Sequence, residues 1–148
     1  MDDCVFCRIV AGDSPASVVY GDDVVMAFLD LRPVNPGHTL VIPKCHAATL
    51  ADLDEETGRH LWTIAAHTAA ALRQSGLRCE GINLRLADGE AAGQEVPHVH
   101  LHVVPRYRGD PVQRGAGRGT RPSREELDRI AAQIRSRYGY RSVDRLLP

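Results

Sequence analysis

Residues 98–104 decide both the fold and the chemistry, and they read His98-Val99-His100-Leu101-His102-Val103-Val104. Strict alternation of polar and apolar residues predicts a β-strand, because successive side chains of a strand point to opposite faces of the sheet. The three histidines then share one face, about 6.5–7 Å apart along the strand. Imidazoles at that spacing can surround one phosphate group: a neutral ring can attack phosphorus while a protonated neighbour donates to the leaving group. A histidine cluster that only binds metal is the alternative.

The composition is that of a globular domain without a broad electrostatic surface. The chain has 148 residues, of which 43% are hydrophobic and 25% charged, and its formal net charge is −1. This balance predicts binding neither to nucleic acid nor to an anionic membrane, and no apolar run approaches the roughly 20 residues that span a bilayer. The acidic first residues lack the pattern of a signal peptide, so we expect a cytoplasmic protein.

Hydrophobic periodicity predicts an α+β domain. Apolar or alternating runs predict strands over residues 18–20, 24–29, 39–42, 82–86 and 99–104. Apolar residues at three- and four-residue spacing predict a long helix over 54–74. The order implies a mostly antiparallel sheet with segregated helices. We expect residues 1–108 to form this domain, and residues 109–148 to add a mobile loop and a C-terminal helix to it.

Helix-capping residues are expected at both helix starts. Asp52 with Glu55 resembles a capping pair before the long helix, and Ser123 with Glu126 forms a capping box before the last one. The mobile loop, residues 109–122, is rich in glycine, proline and arginine.

The alternating histidines and three shorter segments together resemble the histidine triad (HIT) family. The shorter matches are residues 28–30 (Phe-Leu-Asp), 36–44 (Pro-Gly-His-Thr-Leu-Val-Ile-Pro-Lys) and 92–94 (Ala-Gly-Gln). The resemblance implies the HIT fold, with a mostly antiparallel five-stranded sheet, one long helix and one C-terminal helix. It also implies a homodimer in which two sheets join into a larger one, with the long helix near the interface.

The resemblance implies a nucleotide hydrolase or transferase. We expect hydrolysis of nucleoside monophosphate derivatives, with purine nucleotides as substrates, through a covalent nucleotidyl-histidine intermediate. The leaving group, an amine in phosphoramidates or a phosphate chain in dinucleoside polyphosphates, stays open. A nucleotide-binding or zinc-dependent adaptor with weak or vestigial catalysis is the alternative.

The resemblance also assigns roles within the site. His100 is the expected nucleophile, His102 lies against the phosphate or leaving group, and His38 lines or braces the same site. A carboxylate can accept hydrogen bonds from ribose hydroxyls, and the resemblance gives that role to Asp30. The residues expected at the phosphate or its immediate support are Asn83, Gly93 and Gln94.

The pair Cys4-Val5-Phe6-Cys7 indicates a metal site. In a cytosolic chain, four cysteines favour metal binding or free thiols over disulfides, although one pair supplies only two of the four ligands of a closed zinc site. The chain resembles HIT proteins of the bacterial type that carry this cysteine pair, and the resemblance implies that His46 and His98 complete the set of zinc ligands. The expected Zn²⁺ is structural and fastens the N-terminus to the strand of His100. Cys45 as a ligand and two unligated cysteines are the alternatives.

Two positions depart from the family pattern. Glu95 stands where a small hydroxyl residue is common, and Ala87 where an amide is common, so substrate choice and rate stay open. An ionised carboxylate cannot donate to a phosphate.

Other polar residues carry weaker indications. His60 and His67 are seven residues apart on the predicted long helix and are expected on the surface or at the dimer interface. Arginines of the loop could meet a polyphosphate, but a solvated loop is the favoured interpretation of Arg114, Arg118 and Arg121.

Overall fold

The computed structural model describes residues 3–112 and 121–139. Its main elements, in chain order, are helix α1 (Val5–Ala11), strands β1 (Val18–Gly21), β2 (Val25–Leu29) and β3 (Thr39–Pro43), helix α2 (Glu55–Gln74), strands β4 (Gly81–Arg85) and β5 (Leu101–Arg106), and helix α3 (Arg124–Arg135). Single 3₁₀ turns lie at Leu50–Asp52 and Glu90–Ala92. The predicted α+β class and the predicted long and C-terminal helices are confirmed.

The five strands form one antiparallel sheet in the order β1-β2-β3-β5-β4. Helix α2 packs against β3 and β5, and α3 packs against β1 and α2. Because apolar residues recur along one side of α2, its Ile64 and Leu72 join the core that also contains Val41 and Val103. The other face of the sheet, at β3 and β5, carries the histidines.

Strand β5 begins at Leu101, two residues later than the alternation predicts. Its partner β3 ends at Pro43, and Lys44 already bonds back to Val24. Although β3 continues through Ile42 and Pro43, the Val99 N–H donates to the Ala47 carbonyl at 2.7 Å, and the pairing of β5 with β3 begins only at Leu101.

Helix α2 is capped by Asp54, whose Oδ1 accepts from the Thr57 N–H at 2.9 Å. The predicted pairing of Asp52 with Glu55 is wrong, because Asp52 instead forms a capping box with Thr49 around the preceding 3₁₀ turn. Ser123 caps α3 as predicted, accepting from the Glu126 N–H.

Helix α1 has no counterpart among the predicted elements. It ends at Gly12, whose φ of 84° closes the helix with bonds to the Arg8 and Ile9 carbonyls. Such a left-handed residue after the last turn is a common helix stop, and glycine adopts it without a Cβ clash. Phe6 is the buried residue of this helix.

Within the described ranges, no helix is both long enough and apolar enough to cross a membrane. Of the predicted mobile loop, residues 113–120 lie outside the described part, and Arg114 and Arg118 lie there with them.

Candidate active site and metal centre

A cavity of about 510 Å³ opens on the histidine face of the sheet. Helix α1, the ends of β2 and β4, the turn before residue 96 and the start of α3 surround it. The residues expected in the site that line this cavity are Asp30, Gly93, His100 and His102.

His100 is oriented by its own strand. Its Nδ1 lies 2.7 Å from the backbone carbonyl oxygen of His98. Since a carbonyl only accepts, Nδ1 carries the proton, and a neutral ring then keeps the lone pair on Nε2. The ring is 6% exposed and packs edge-on against Phe6, with centroids 5.2 Å apart. His100, the expected nucleophile, therefore has a fixed tautomer, and its basic Nε2 takes no part in the bond to the His98 carbonyl.

His38 and His102 form a hydrogen-bonded pair. The Val34 N–H donates to His38 Nδ1 at 3.0 Å, which places the proton of a neutral His38 on Nε2. That Nε2 lies 2.8 Å from His102 Nδ1 and donates to it. His102 therefore carries its proton on Nε2 and is a donor there. His38 thus contacts His102 from outside the lining of the cavity, and its expected role, to line or brace the site, stays a prediction.

Asp30 follows β2 and lines the cavity beside the histidine pair. Its Oδ1 accepts from the Arg32 N–H at 2.8 Å, and its Oδ2 lies 3.6 Å from His38 Nε2. The carboxylate is thus fixed at one oxygen while it lines the cavity.

The turn containing Gly93 and Gln94 brings backbone to the cavity. Gly93 has a φ of 89°, which favours glycine. The Gln94 amide donates to the Ala48 and Val96 carbonyls at 2.7 and 3.0 Å and accepts from the Gly89 N–H at 2.7 Å. Its side chain therefore holds the turn and does not line the cavity.

Asn83 lies apart from the cavity. Its Oδ1 accepts from Arg106 Nη1 at 2.6 Å in a separate surface pocket between β4 and β5. It shares the face of His102 but lies two pairs farther along the strands, opposite Val104. The structure does not bring Asn83 together with the other expected phosphate residues.

Four side chains converge beside the cavity as a candidate metal centre. The ligand atoms of Cys4, Cys7, His46 and His98 all lie within 4.8 Å of one another. His98 Nε2 donates to the Pro43 carbonyl at 2.8 Å, which leaves the Nδ1 lone pair facing the Cys4 and Cys7 sulfurs at 3.5 and 3.7 Å.

This cluster fits a zinc ion. Tetrahedral bonds of about 2.3 Å to sulfur and 2.0–2.1 Å to nitrogen separate S and N ligands by about 3.5 Å. The Cys7 sulfur lies 3.2 Å from His46 Nδ1, in the same range. Burial lowers the pKa of His98, which favours the neutral, ligating ring. Burial also raises the pKa of the Cys7 thiol, an effect that a bound cation reverses. The exposed Cys45 lies outside the cluster.

Phe6 connects the metal centre with the cavity. Its ring contacts His98 and His100 edge-on, with centroids 5.7 and 5.2 Å apart. Helix α1 begins between the two cysteines and lines the cavity with Val5 and Ile9. The i, i+4 spacing of these two apolar residues, ahead of Gly12, is the signal in the sequence from which this wall could have been found.

The two residues that depart from the family pattern, Ala87 and Glu95, both line the cavity. Ala87 is 8% exposed and offers no polar group. The Glu95 carboxylate lies 3.8 Å from Arg32 Nη2 on the exposed rim. The exposed Arg121 also lines the cavity.

His60 and His67 are less exposed than the sequence suggests. His60 Nε2 lies 2.6 Å from Asp22 Oδ2, because α2 passes over the turn between β1 and β2. Both histidines are half-buried. Neither lines the cavity.

The chain matches the sequence model described as HIT domain over residues 11–109. It is 35% identical over 136 residues to the adenylylsulfatase HINT3 of Arabidopsis thaliana, covering 90% of this chain and 66% of that protein. Among solved structures it is similar to a zinc-bound histidine triad family protein from Mycobacterium smegmatis, with a TM-score of 0.80, 40% identity and coverage of 93% and 94% of the two chains. It is also similar to a hypothetical histidine triad nucleotide-binding protein from Sulfolobus tokodaii, with a TM-score of 0.82, 29% identity and 91% coverage of each chain.

Proposed function

Because the chain belongs to the HIT domain family, we propose that it hydrolyses nucleoside monophosphate derivatives through a nucleotidyl intermediate on His100. One observation carries the proposal: the Nδ1–H of His100 is held by the His98 carbonyl, and His102 beside it presents a proton on Nε2. A basic nitrogen and a proton donor therefore stand side by side, with ring centroids 5.0 Å apart.

The reaction has two steps. His100 Nε2 attacks the α-phosphorus, forming a P–N bond while the bond from phosphorus to the leaving group breaks. The His102 Nε2 proton passes to the leaving group, and the hydrogen bond that His38 Nε2 donates to His102 Nδ1 stabilises the negative charge that the His102 ring then carries. Water then attacks phosphorus and passes a proton to His102 Nε2, the P–N bond breaks, and the nucleoside monophosphate is released with His100 and His102 both restored.

The remaining cavity residues bind the nucleotide. The Asp30 carboxylate accepts hydrogen bonds from the ribose hydroxyls, and the turn at Gly93 lets backbone approach the phosphate closely. Val5 and Ile9 of α1 supply an apolar wall for a purine base. The Gln94 amide supports that turn from behind, and Asn83 has no direct contact with substrate in this account.

A structural zinc ion belongs to the proposal. Cys4, Cys7, His46 and His98 would hold it, and these four ligands leave no open position, so it stabilises the fold and takes no part in bond breaking. The similarity to a zinc-bound relative supports this assignment. Reduced cysteines suit the cytoplasm, where we place the activity.

The proposal includes a homodimer in which two sheets join along β4. This strand is at the edge of the sheet, with Leu84 36% exposed, and α2 presents Trp62 at 59% exposure. Unpaired edge strands and exposed aromatic groups favour association. Sedimentation should show a dimer that Leu84→Glu dissociates and Val24→Glu, at a distant turn, does not.

The test is a side-by-side assay of adenosine phosphoramidate and diadenosine polyphosphates with purified protein. Turnover of either class that His100→Ala abolishes supports the proposal. Nucleotide binding without turnover of any of these substrates would contradict it and favour the adaptor alternative. Guanosine and cytidine analogues in the same assay test the expected purine preference.

A further inference from the structure

We propose that Arg85 selects substrates whose leaving group is a phosphate chain. This inference rests on the proposed function and concerns a choice that the histidines leave open, since a proton from His102 could serve an amine or a phosphate equally well. Arg85 was not among the residues expected from the sequence to contact substrate.

The sheet register places Arg85 beside the proton donor. Arg85 is the last residue of β4, and it pairs directly with His102 of β5. Directly paired residues of antiparallel strands present their side chains on the same face, about 4.5–5.5 Å apart at Cβ. Arg85 therefore lies on the leaving-group side of the histidine pair.

The guanidinium reaches the turn that faces the phosphate. A Cβ built on Gly93 would lie 3.6 Å from Arg85 Nη2, and both residues line the cavity. Ala87, the next residue of this strand segment on the same side, contributes no donor. In this segment Arg85 is the side chain able to hydrogen-bond an anion at the cavity.

Two of the other three arginines that line the cavity are already engaged, and the third, Arg121, is exposed ahead of α3. Arg32 lies 3.8 Å from the Glu95 carboxylate, and Arg124 Nη1 donates to Ser17 Oγ at 2.9 Å. Within residues 3–112 and 121–139, Arg85 has no carboxylate at salt-bridge distance. In the described part of the chain, its guanidinium is therefore not paired with a carboxylate.

A guanidinium that is not paired with a carboxylate favours a phosphate chain over an amine. Its fixed fork of donors matches phosphate oxygens in a bidentate manner, and a charged pair of hydrogen bonds is stronger than a neutral one. A polyphosphate leaving group brings several negative charges to this position. An amine brings none, and a protonated amine would be repelled.

Arg85→Met removes the charge and keeps much of the side-chain length, and Arg85→Lys keeps the charge without the fork. We expect Arg85→Met to lower kcat/KM for diadenosine tetraphosphate about 10- to 100-fold, while kcat/KM for adenosine phosphoramidate changes less than about threefold. Arg85→Lys should retain part of the polyphosphate activity. Arg129→Met, on the exposed side of α3, is the matched control and should change neither.

Equal losses for the two substrates would overturn the inference, because Arg85 would then act on the shared α-phosphate or on the fold. No loss for either would overturn it too. Thermal midpoints of the variants, expected to match the wild type, separate misfolding from lost recognition.

A binding series separates failure of this inference from failure of the proposed function. In the His100→Ala background, which removes turnover, affinity should rise from AMP to ADP to ATP, and Arg85→Met should abolish that rise. If the series depends on Arg85 while the wild type hydrolyses no substrate, the hydrolase proposal fails and the role of Arg85 stands. If the wild type hydrolyses polyphosphates and affinity is independent of Arg85, the inference fails alone.

Discussion

Nε2 of His38 lies 2.8 Å from Nδ1 of His102, and His38 itself is held by the backbone N–H of Val34. This chain of two hydrogen bonds fixes which nitrogen of His102 carries a proton. A backbone amide outside the cavity thus sets the protonation of a residue inside it, through one buried ring.

Breaking this chain should impair protonation of the leaving group. We expect His38→Ala to lower kcat about 10- to 100-fold, the usual range for misplaced general-acid catalysis, with a smaller change in KM. His38→Gln keeps an amide donor and should recover part of the rate. Steady-state kinetics on substrates with leaving groups of different basicity provide the check, because the loss should grow as the leaving group becomes more basic. An unchanged kcat in folded His38→Ala would exclude the relay.

The candidate metal centre predicts which cysteine variants keep zinc and which lose it. Metal analysis should find about one zinc per chain in the wild type and in Cys45→Ser, and little in Cys4→Ser or Cys7→Ser. Chelation should lower the thermal midpoint of the first two proteins, because binding free energy at a structural site is largely folding free energy. Zinc retained by Cys4→Ser, or a midpoint indifferent to chelation, would rule out the four-ligand site.

Glu95 should oppose polyphosphate substrates. Its carboxylate lies at the cavity rim and engages Arg32, so Glu95→Ser removes a negative charge and releases a cation. We expect a several-fold gain in kcat/KM for diadenosine polyphosphates relative to phosphoramidates, since about 1 kcal/mol corresponds to a roughly fivefold change. Glu80→Ser, outside the cavity, is the control. If the ratio of kcat/KM for polyphosphates to kcat/KM for phosphoramidates is the same in Glu95→Ser and the wild type, Glu95 has no part in substrate choice.

Asp22 joins the turn between β1 and β2 to helix α2. Burial alone would raise its pKa, but hydrogen bonds from Tyr20, from the backbone of Val25 and Val24, and from His60 together lower it below the usual aspartate value. The folded state therefore prefers the charged carboxylate.

This preference predicts a pH-dependent contribution to stability. A carboxyl whose pKa is lowered by folding stabilises the protein above its unfolded pKa, about 3.9, and the contribution is lost as pH falls through the folded value. Asp22→Asn should destabilise the protein by about 1–2 kcal/mol near pH 7, from lost acceptors. The difference in unfolding free energy between Asp22→Asn and the wild type should disappear below about pH 4. The neighbouring exposed Asp23→Asn should show no such difference, and a difference for Asp22→Asn that is constant with pH would contradict the assignment.

The sequence predicts the sheet and most of the histidine site because both depend on local alternation. The predicted long helix and all five strands are present within two residues of their expected bounds, and residues as distant as Cys4 and His98 meet in the expected cluster. That meeting was implied by a family resemblance, since spacing alone cannot join residues 94 positions apart.

What could not be predicted depends on contacts between elements. The late start of β5 accompanies a bond from the Val99 N–H to the Ala47 carbonyl, and the wall formed by α1 follows from the packing of Phe6 against two histidines. The position of Arg85 beside His102 depends on the strand register, which cannot be read from the sequence alone. Asn83 shares that face but meets Arg106 instead of the cavity.

Trapping of the covalent intermediate tests the central claim most directly. Wild-type protein mixed with a radiolabelled adenosine nucleotide substrate and quenched in base, where phosphohistidine bonds are preserved, should carry one adenylyl group per active site on His100, located by peptide mass spectrometry. His100→Ala should carry none and should show no turnover. Normal turnover by a folded His100→Ala variant, or an adduct on a residue other than His100, would contradict the account.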